Sequence, residues 1–187
     1  MNGYEQRLVS DKKEIRQRVV AVGERVRVAV QTAVDSLLKF DHPSCARVIL
    51  GDLPVNREVR AINKLCHAFI ARHLPSAGHL RFVSSVLQMN IALERVGDYA
   101  VTIAREGVQL SAVPPEGLGE EIRELARNAT DVLADALSAF ATGDAELARQ
   151  TRPHAKSSEA AFERLYRDLT RQAMPLPLPD ADRKSVV

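Results

Sequence analysis

The sequence predicts an all-α protein built as tandem three-helix bundles, the first complete and the second lacking its last helix. Three observations carry that expectation. Long proline-free stretches place apolar residues at helical spacing, and short turn-forming clusters separate them. One segment also recurs a hundred residues later, as Asp35-Ser36-Leu37-Leu38-Lys39-Phe40 and then Asp135-Ala136-Leu137-Ser138-Ala139-Phe140. A repeat on this scale points to duplication of a three-helix unit rather than to a short-period solenoid.

The first helix is expected over residues 4–40, which contain no proline and one glycine, Gly23. Its apolar residues Ile15, Val19, Val22, Val26, Val30, Ala33 and Leu37 follow one another by three or four, the stripe of an amphipathic helix about 55 Å long. Asp41-His42-Pro43-Ser44 ends it and starts the next. The second helix runs to about Leu74, with a kink or restart expected between Gly51 and Val55 because Pro54 has no N–H to donate. Pro75-Ser76-Ala77-Gly78 forms a turn. The third helix follows over about 79–110, with Leu80, Val83, Leu87, Ile91 and Ala100 as apolar positions. Three long helices joined by short turns make an antiparallel bundle, residues 1–112.

Pro114 and Pro115 mark a linker to a partial second repeat, residues 116–174. It comprises a fourth helix from about Gly119 to Thr142, a turn at Gly143-Asp144, and a fifth helix to about Ala173 whose first turns Pro153 should disturb. Residues 175–187, opening with Pro-Leu-Pro-Leu-Pro, read as an extended, mobile tail.

Composition narrows the class. Apolar residues make up 45% and charged residues 27% of the 187, a globular balance, while aromatics are only 4%. The core is therefore aliphatic, which suits close helix packing. A net charge of +2 gives no bulk attraction to nucleic acid. Cys45 and Cys66 form no framework or C-x-x-C pair, the first residues lack a secretory apolar stretch, and no run is long enough to span a bilayer. A reduced, cytoplasmic protein is expected. No phosphate-binding glycine loop, G-x-S-x-G or nucleophile with a base is present, so the sequence offers nothing for catalysis.

The chemistry-bearing residues are carboxylates in pairs. Glu94 and Asp98 stand four apart on the third helix and project from one face beside its apolar stripe, where an unpaired charge is costly. Asp52 and Asn56 on the second helix, and Glu159 and Glu163 on the fifth, repeat the spacing. Oxygen ligands so placed on facing helices could hold a divalent cation or a multinuclear iron or zinc cluster; equally, each pair could be solvated or salt-bridged. No Glu-x-x-His occurs, and His67 and His73 are expected on the bundle surface. Arginines on helices two and three, among them Arg81 and Arg95, could receive an acidic partner surface or a phosphate, or be a solvated, balanced face.

Four motifs in order carry a family resemblance: D-x-x-V-N at residues 52–56, I-x-x-x-C at 62–66, P-x-A-x-x-L-R at 75–81 and L-E-R-V-G-D at 93–98. Residues 52–104 as a block resemble the core of PhoU proteins. The resemblance implies two tandem three-helix bundles, a homodimer, and negative regulation of phosphate uptake and phosphate-starvation signalling. It implies as partners the phosphate-transporter ATPase and the sensor histidine kinase. It further implies that Asp52, Asn56, Glu94 and Asp98, with Glu159 and Glu163 of the second repeat, match motifs that hold metal clusters in some members.

The chain departs from the family pattern in places. Asn56 stands where many members have a carboxylate, Pro54 falls inside the motif, and His79 replaces an aspartate in the turn. The final helix with its second E-R-x-G-D motif is missing. Helices four and five would then expose apolar residues such as Leu125, Val132, Phe162 and Leu165, which a second copy would cover. A metal-binding bundle, or a degenerate relative that kept only the fold, are the alternative readings.

Overall fold

The computed structural model describes residues 3–112 and 116–173, so the proline-rich tail at 175–187 lies outside it. The described residues form five helices: α1 (Gly3–Lys39), α2 (His42–His73), α3 (Ala77–Gln109), α4 (Glu116–Thr142) and α5 (Ala145–Ala173). Helices α1, α2 and α3 pack on one another pairwise. Helix α4 lies against α1, and α5 packs on α4 alone. No helix of the described residues is long and apolar enough to cross a membrane.

Turns are set by local chemistry. Asp41 caps α2, its carboxylate accepting the Ser44 N–H at 3.1 Å, and Pro43 sits in the first turn where a missing N–H costs nothing. Leu74 closes the helix in the left-handed region, at φ 42°. Gly143, at φ 75°, takes the left-handed conformation that glycine adopts without strain. Beside it Asp144 accepts the N–H groups of Glu146 and Leu147 at 2.8 and 3.0 Å and so starts α5.

The expected break in α2 does not occur. The helix continues through Gly51 and Pro54. Both Pro54 and Leu50, four residues earlier, face solvent, so water can satisfy the carbonyl that the proline leaves without a donor. Pro153, also exposed, is carried inside α5 for the same reason.

On α2 and α3 the seam positions step by three and four. On α3 the buried stripe is Val83, Val86, Asn90, Leu93, Gly97, Ala100, Ala104 and Gly107. Of the apolar residues expected there, Val83 and Ala100 are buried but Leu80 and Ile91 are exposed, because glycines, alanines and an asparagine share the seam with the valines and Leu93. On α2 the seam is Cys45, Val48, Asp52, Val55, Val59, Ile62, Cys66, Phe69 and His73, buried at every position except half-buried Asp52. Alternation of three and four is the pattern of knobs packing into holes. Fully buried Asn90 donates to the Val59 carbonyl at 3.2 Å and to Asn63 Oδ1 at 2.9 Å, fixing the register of α3 on α2.

The core falls into two clusters. One holds Ile15, Val19, Val22 and Val26 of α1 against Val55, Val59, Ile62 and Phe69 of α2 and Val83, Val86 and Leu93 of α3. The other, of smaller residues, holds Ala33, Cys45, Val48, Ala100 and Ala104. Burial raises both thiols, that of Cys66 to about 11, so neither is a ready nucleophile.

His73 overturns its expected surface position. It is buried, its Nε2 lies 2.9 Å from Asp11 Oδ2, and its ring packs on Phe69 and Tyr4. Arg72 donates to the same carboxylate oxygen at 2.6 Å, and the Tyr4 hydroxyl donates to the His73 carbonyl. Burial works to raise Asp11, but these hydrogen bonds outweigh it and hold the group below its ordinary value. The cluster ties the start of α1 to the end of α2.

The second repeat does not stand apart from the first. Leu137 of α4, almost fully buried, sits over Gly23 of α1, where a Cβ would collide with both of its methyl groups. Phe82 of α3 and Phe140 of α4 stack with centroids 6.0 Å apart, and Arg16 of α1 lies over both rings. Gln31 donates to Thr130 Oγ1 at 3.2 Å further along the same seam.

Two glycines of the α3 seam separate under substitution. A Cβ at Gly107 would lie 2.9 Å from Cys45 Sγ and 3.3 Å from the Leu37 backbone, whereas one at Gly97 meets nothing closer than 3.7 Å. Gly107→Ala should cost roughly 1–3 kcal/mol by overpacking. Gly97→Ala should lose nothing and gain up to about 1 kcal/mol from helix propensity. Thermal unfolding followed by circular dichroism checks the pair; a larger loss at Gly97 than at Gly107 contradicts the packing described.

Candidate functional site

Asp52 occupies a seam position of α2, between Val48 and Val55, where every neighbouring seam residue is buried and apolar. It falls in the gap between the two core clusters, whose α2 members stop at Val48 and resume at Val55. Opposite it on α3 is Gly97, and a Cβ there would be 3.7 Å from Asp52 Oδ1. A carboxylate in a seam survives only if the facing residue leaves room and solvent can reach it. Gly97 supplies the room.

The solvent side is an open cleft of about 480 Å³ between α1 and α2. Val26, Val28, Ala29 and Thr32 of α1 form one wall, Val48, Gly51 and Val55 of α2 the other, and Asp52 reaches the floor between them. Gly97 and Val101 of α3 lie at its floor, and Arg25 and Arg47 sit at its edges. Neither Gly51 nor Gly97 carries a side chain to fill the space.

Asn56, one turn after Asp52, donates from Nδ2 to Asp52 Oδ2 at 2.5 Å. Its own Oδ1 is buried without a hydrogen-bond partner. Among the described residues no lysine or arginine forms an ion pair with Asp52. Burial raises the Asp52 carboxyl above its ordinary value, the Asp98 charge raises it further, and the Asn56 amide and Arg105 only partly offset this. Asp98 is exposed on α3 beside Gly97, and Glu94, a turn earlier, is half-buried.

The expected ligand set therefore divides. Asp52, Asn56 and Asp98 belong to one neighbourhood, with Glu94 on its α3 flank. Glu159 and Glu163 are exposed on α5, which packs only on α4, so they do not join the carboxylates of α2 and α3. Among the described residues no three His, Cys, Asp or Glu side chains converge as a metal would require. The residues present do not fit a multinuclear cluster. Arg81 is exposed, and Arg95 spends a donor on Tyr99 Oη at 3.3 Å on its own helix. Sequence reasoning missed Arg25, Arg47 and the cleft they border. The available signal was the alternation Cys45–Val48–Asp52–Val55, which places an acid at a core position.

The described residues form five helices, with a single carboxylate interrupting the seam of the first bundle, which defines an all-α helical-bundle protein. The comparisons specify which. The model of the PhoU domain matches residues 19–107, which hold the whole of this site. The phosphate-specific transport system accessory protein PhoU homologue of Pseudomonas putida is 32% identical over 174 residues, covering 92% of this chain and 68% of that protein. The homologue of Pseudomonas aeruginosa is 30% identical, over 92% of this chain and 72% of that protein. The crystal structure of PhoU from Pseudomonas aeruginosa superposes with a TM-score of 0.82 at 29% identity, covering 88% of this chain and 79% of that one. The chain belongs to the PhoU family.

Asp52 makes the fold pH-dependent in an unusual direction. A carboxyl whose folded value is raised stabilises the fold below its unfolded value, near 3.8, and that contribution is lost as pH rises through the folded value. Asp52→Asn keeps the shape and the Asn56 contact but removes the charge. It should raise Tm at pH 7, with the advantage shrinking as pH falls through the raised folded value and gone below 3.8. Melting curves across pH test this, and a variant less stable than wild type at pH 7 contradicts it.

Proposed function

We propose that this chain is a negative regulator of phosphate uptake and phosphate-starvation signalling, acting in the cytoplasm as an adaptor between the phosphate-transporter ATPase and the sensor histidine kinase. It is an accessory, regulatory protein rather than an enzyme. The observation that carries the reading is the family membership, with relatives that are accessory proteins of phosphate-specific transport. The structure supports it by offering a surface for contact: the Asp52 cleft opens on the side of the bundle with basic residues at its edges. No helix of the described residues is long and apolar enough to cross a membrane, and in this reading the chain meets the membrane through its partner, the transporter. Near-neutral net charge gives nucleic acid no part in the reading.

A phosphate-starvation reporter tests the role directly. In a strain deleted for this gene and grown in abundant phosphate, reporter activity should be high, and the chain restored in trans should return it to low. An unchanged reporter, with no paralogue present, overturns the reading.

The homodimer is part of the same proposal. Helix α5 leaves Phe162, Tyr166 and Leu169 exposed, with Phe162 and Tyr166 at 53% and 61%. A second α4–α5 pair laid against them would bury that face. Light scattering at micromolar concentration should give the mass of two chains, and a monomer rules the dimer out.

A further inference from the structure

The Asp52 cleft has a chemistry that neither a metal cluster nor solvent satisfies well, and it deepens the adaptor reading on which it rests. We propose that the cleft between α1 and α2 is the docking groove for a partner-protein segment that inserts a lysine or arginine between aliphatic side chains, its cationic head meeting Asp52.

Three features select that occupant. The first is charge. Asp52 is half-buried and makes no ion pair among the described residues, Arg105 offsetting its burial only in part, with Asp98 as a second negative group nearby. A cation entering the cleft answers both. The second is hydrogen bonding. Asn56 Oδ1 is buried with no donor. An ammonium offers three N–H groups and a guanidinium five, enough to serve Asp52 and Asn56 together. The third is the shape and lining of the cleft. Val28 and Val48 make its walls apolar, and the volume of about 480 Å³ admits a long side chain with an aliphatic neighbour. The methylene stem of lysine or arginine packs on such walls while the head reaches a polar floor.

The rim completes the complementarity. Arg25 and Arg47 stand at the edges, exposed, so the segment that fits carries its basic residue centrally and acidic residues alongside. Such an arrangement of opposite charges sets register and rejects purely basic or purely acidic partners. A basic membrane surface protein or a free metal ion matches only the floor, not the rim.

The test uses the full chain with two probes, the purified transporter ATPase and the cytoplasmic part of the sensor kinase from the same organism, by titration calorimetry in EDTA. Wild type should bind at least one. Val28→Arg, which plugs the cleft from an exposed position, and Asp52→Asn, which removes the floor charge, should each weaken binding about tenfold or more. Val9→Arg, an equally exposed valine near the start of α1, should not. Unfolding curves confirm that each variant is folded. Binding of neither probe by wild type overturns the adaptor reading and this proposal with it. Wild-type binding that Val28→Arg and Asp52→Asn leave within about twofold overturns the groove alone. So does binding that EDTA abolishes and manganese or zinc restores, since a metal would then occupy the floor. Conversion of a dimer to a monomer by Val28→Arg would assign the groove to a second copy and overturn it equally.

Discussion

Helix α1 is the element on which the remainder depends, because it is packed on two sides at once. One side supplies Ile15, Val19, Val22 and Val26 to the seam with α2 and α3. The other receives α4, with Leu137 over Gly23 and Arg16 against the stacked rings of Phe82 and Phe140. A helix buried on two sides cannot rotate to relieve a misfit on either, so its residues are constrained in size as well as polarity. Gly23 is the clearest case. It is a poor helix former kept in the middle of a 37-residue helix because only the absence of a side chain lets α4 approach. Asn90 and the Asp11–His73 pair perform a related task, fixing the axial register and one end of the bundle by contacts that a shifted alignment would leave unsatisfied.

Within that frame the Asp52 region is a deliberate gap. The aliphatic core on one side and the alanine-rich core on the other do not meet across α2 and α3, and the residues at the junction are an aspartate and a glycine. Either alone would be a defect. An aspartate facing a large residue would be stranded, and a glycine facing an apolar residue would leave a void. Together they make a polar floor reachable from outside, at a local cost in stability that the rest of the seam carries. Strain and poor satisfaction of this kind gather where proteins meet ligands and partners.

Much of this was legible in the sequence, unevenly. The α1 stripe could be read because its seam is filled by valine and isoleucine, residues whose burial the helical period announces. The α3 stripe was legible only in part: Val83 and Ala100 lie on it, but its seam also holds Gly97, Gly107 and Asn90, while Leu80 and Ile91 point to solvent. Pro54 looked like a break because local rules treat a lost hydrogen bond as decisive, yet on the wet side of a helix water replaces it. His73 looked like a surface residue because nothing nearby in sequence announces Asp11, which lies 62 positions away. The carboxylates of α2 and α3 were recognisable as a group, but the cleft that gives Asp52 its meaning is formed by α1, and no spacing within α2 or α3 encodes it.

The attachment of α5 has a thermodynamic consequence. Helices α1, α2 and α3 each have at least two neighbours, so opening any of them disrupts the whole bundle. Helix α5 has one neighbour, α4, and exposes much of its length to water. Such a helix is the weakest cooperative unit of the molecule and exchanges its amide protons through openings that leave the bundle intact. A partner that bound α5 would therefore order it at little expense to the core.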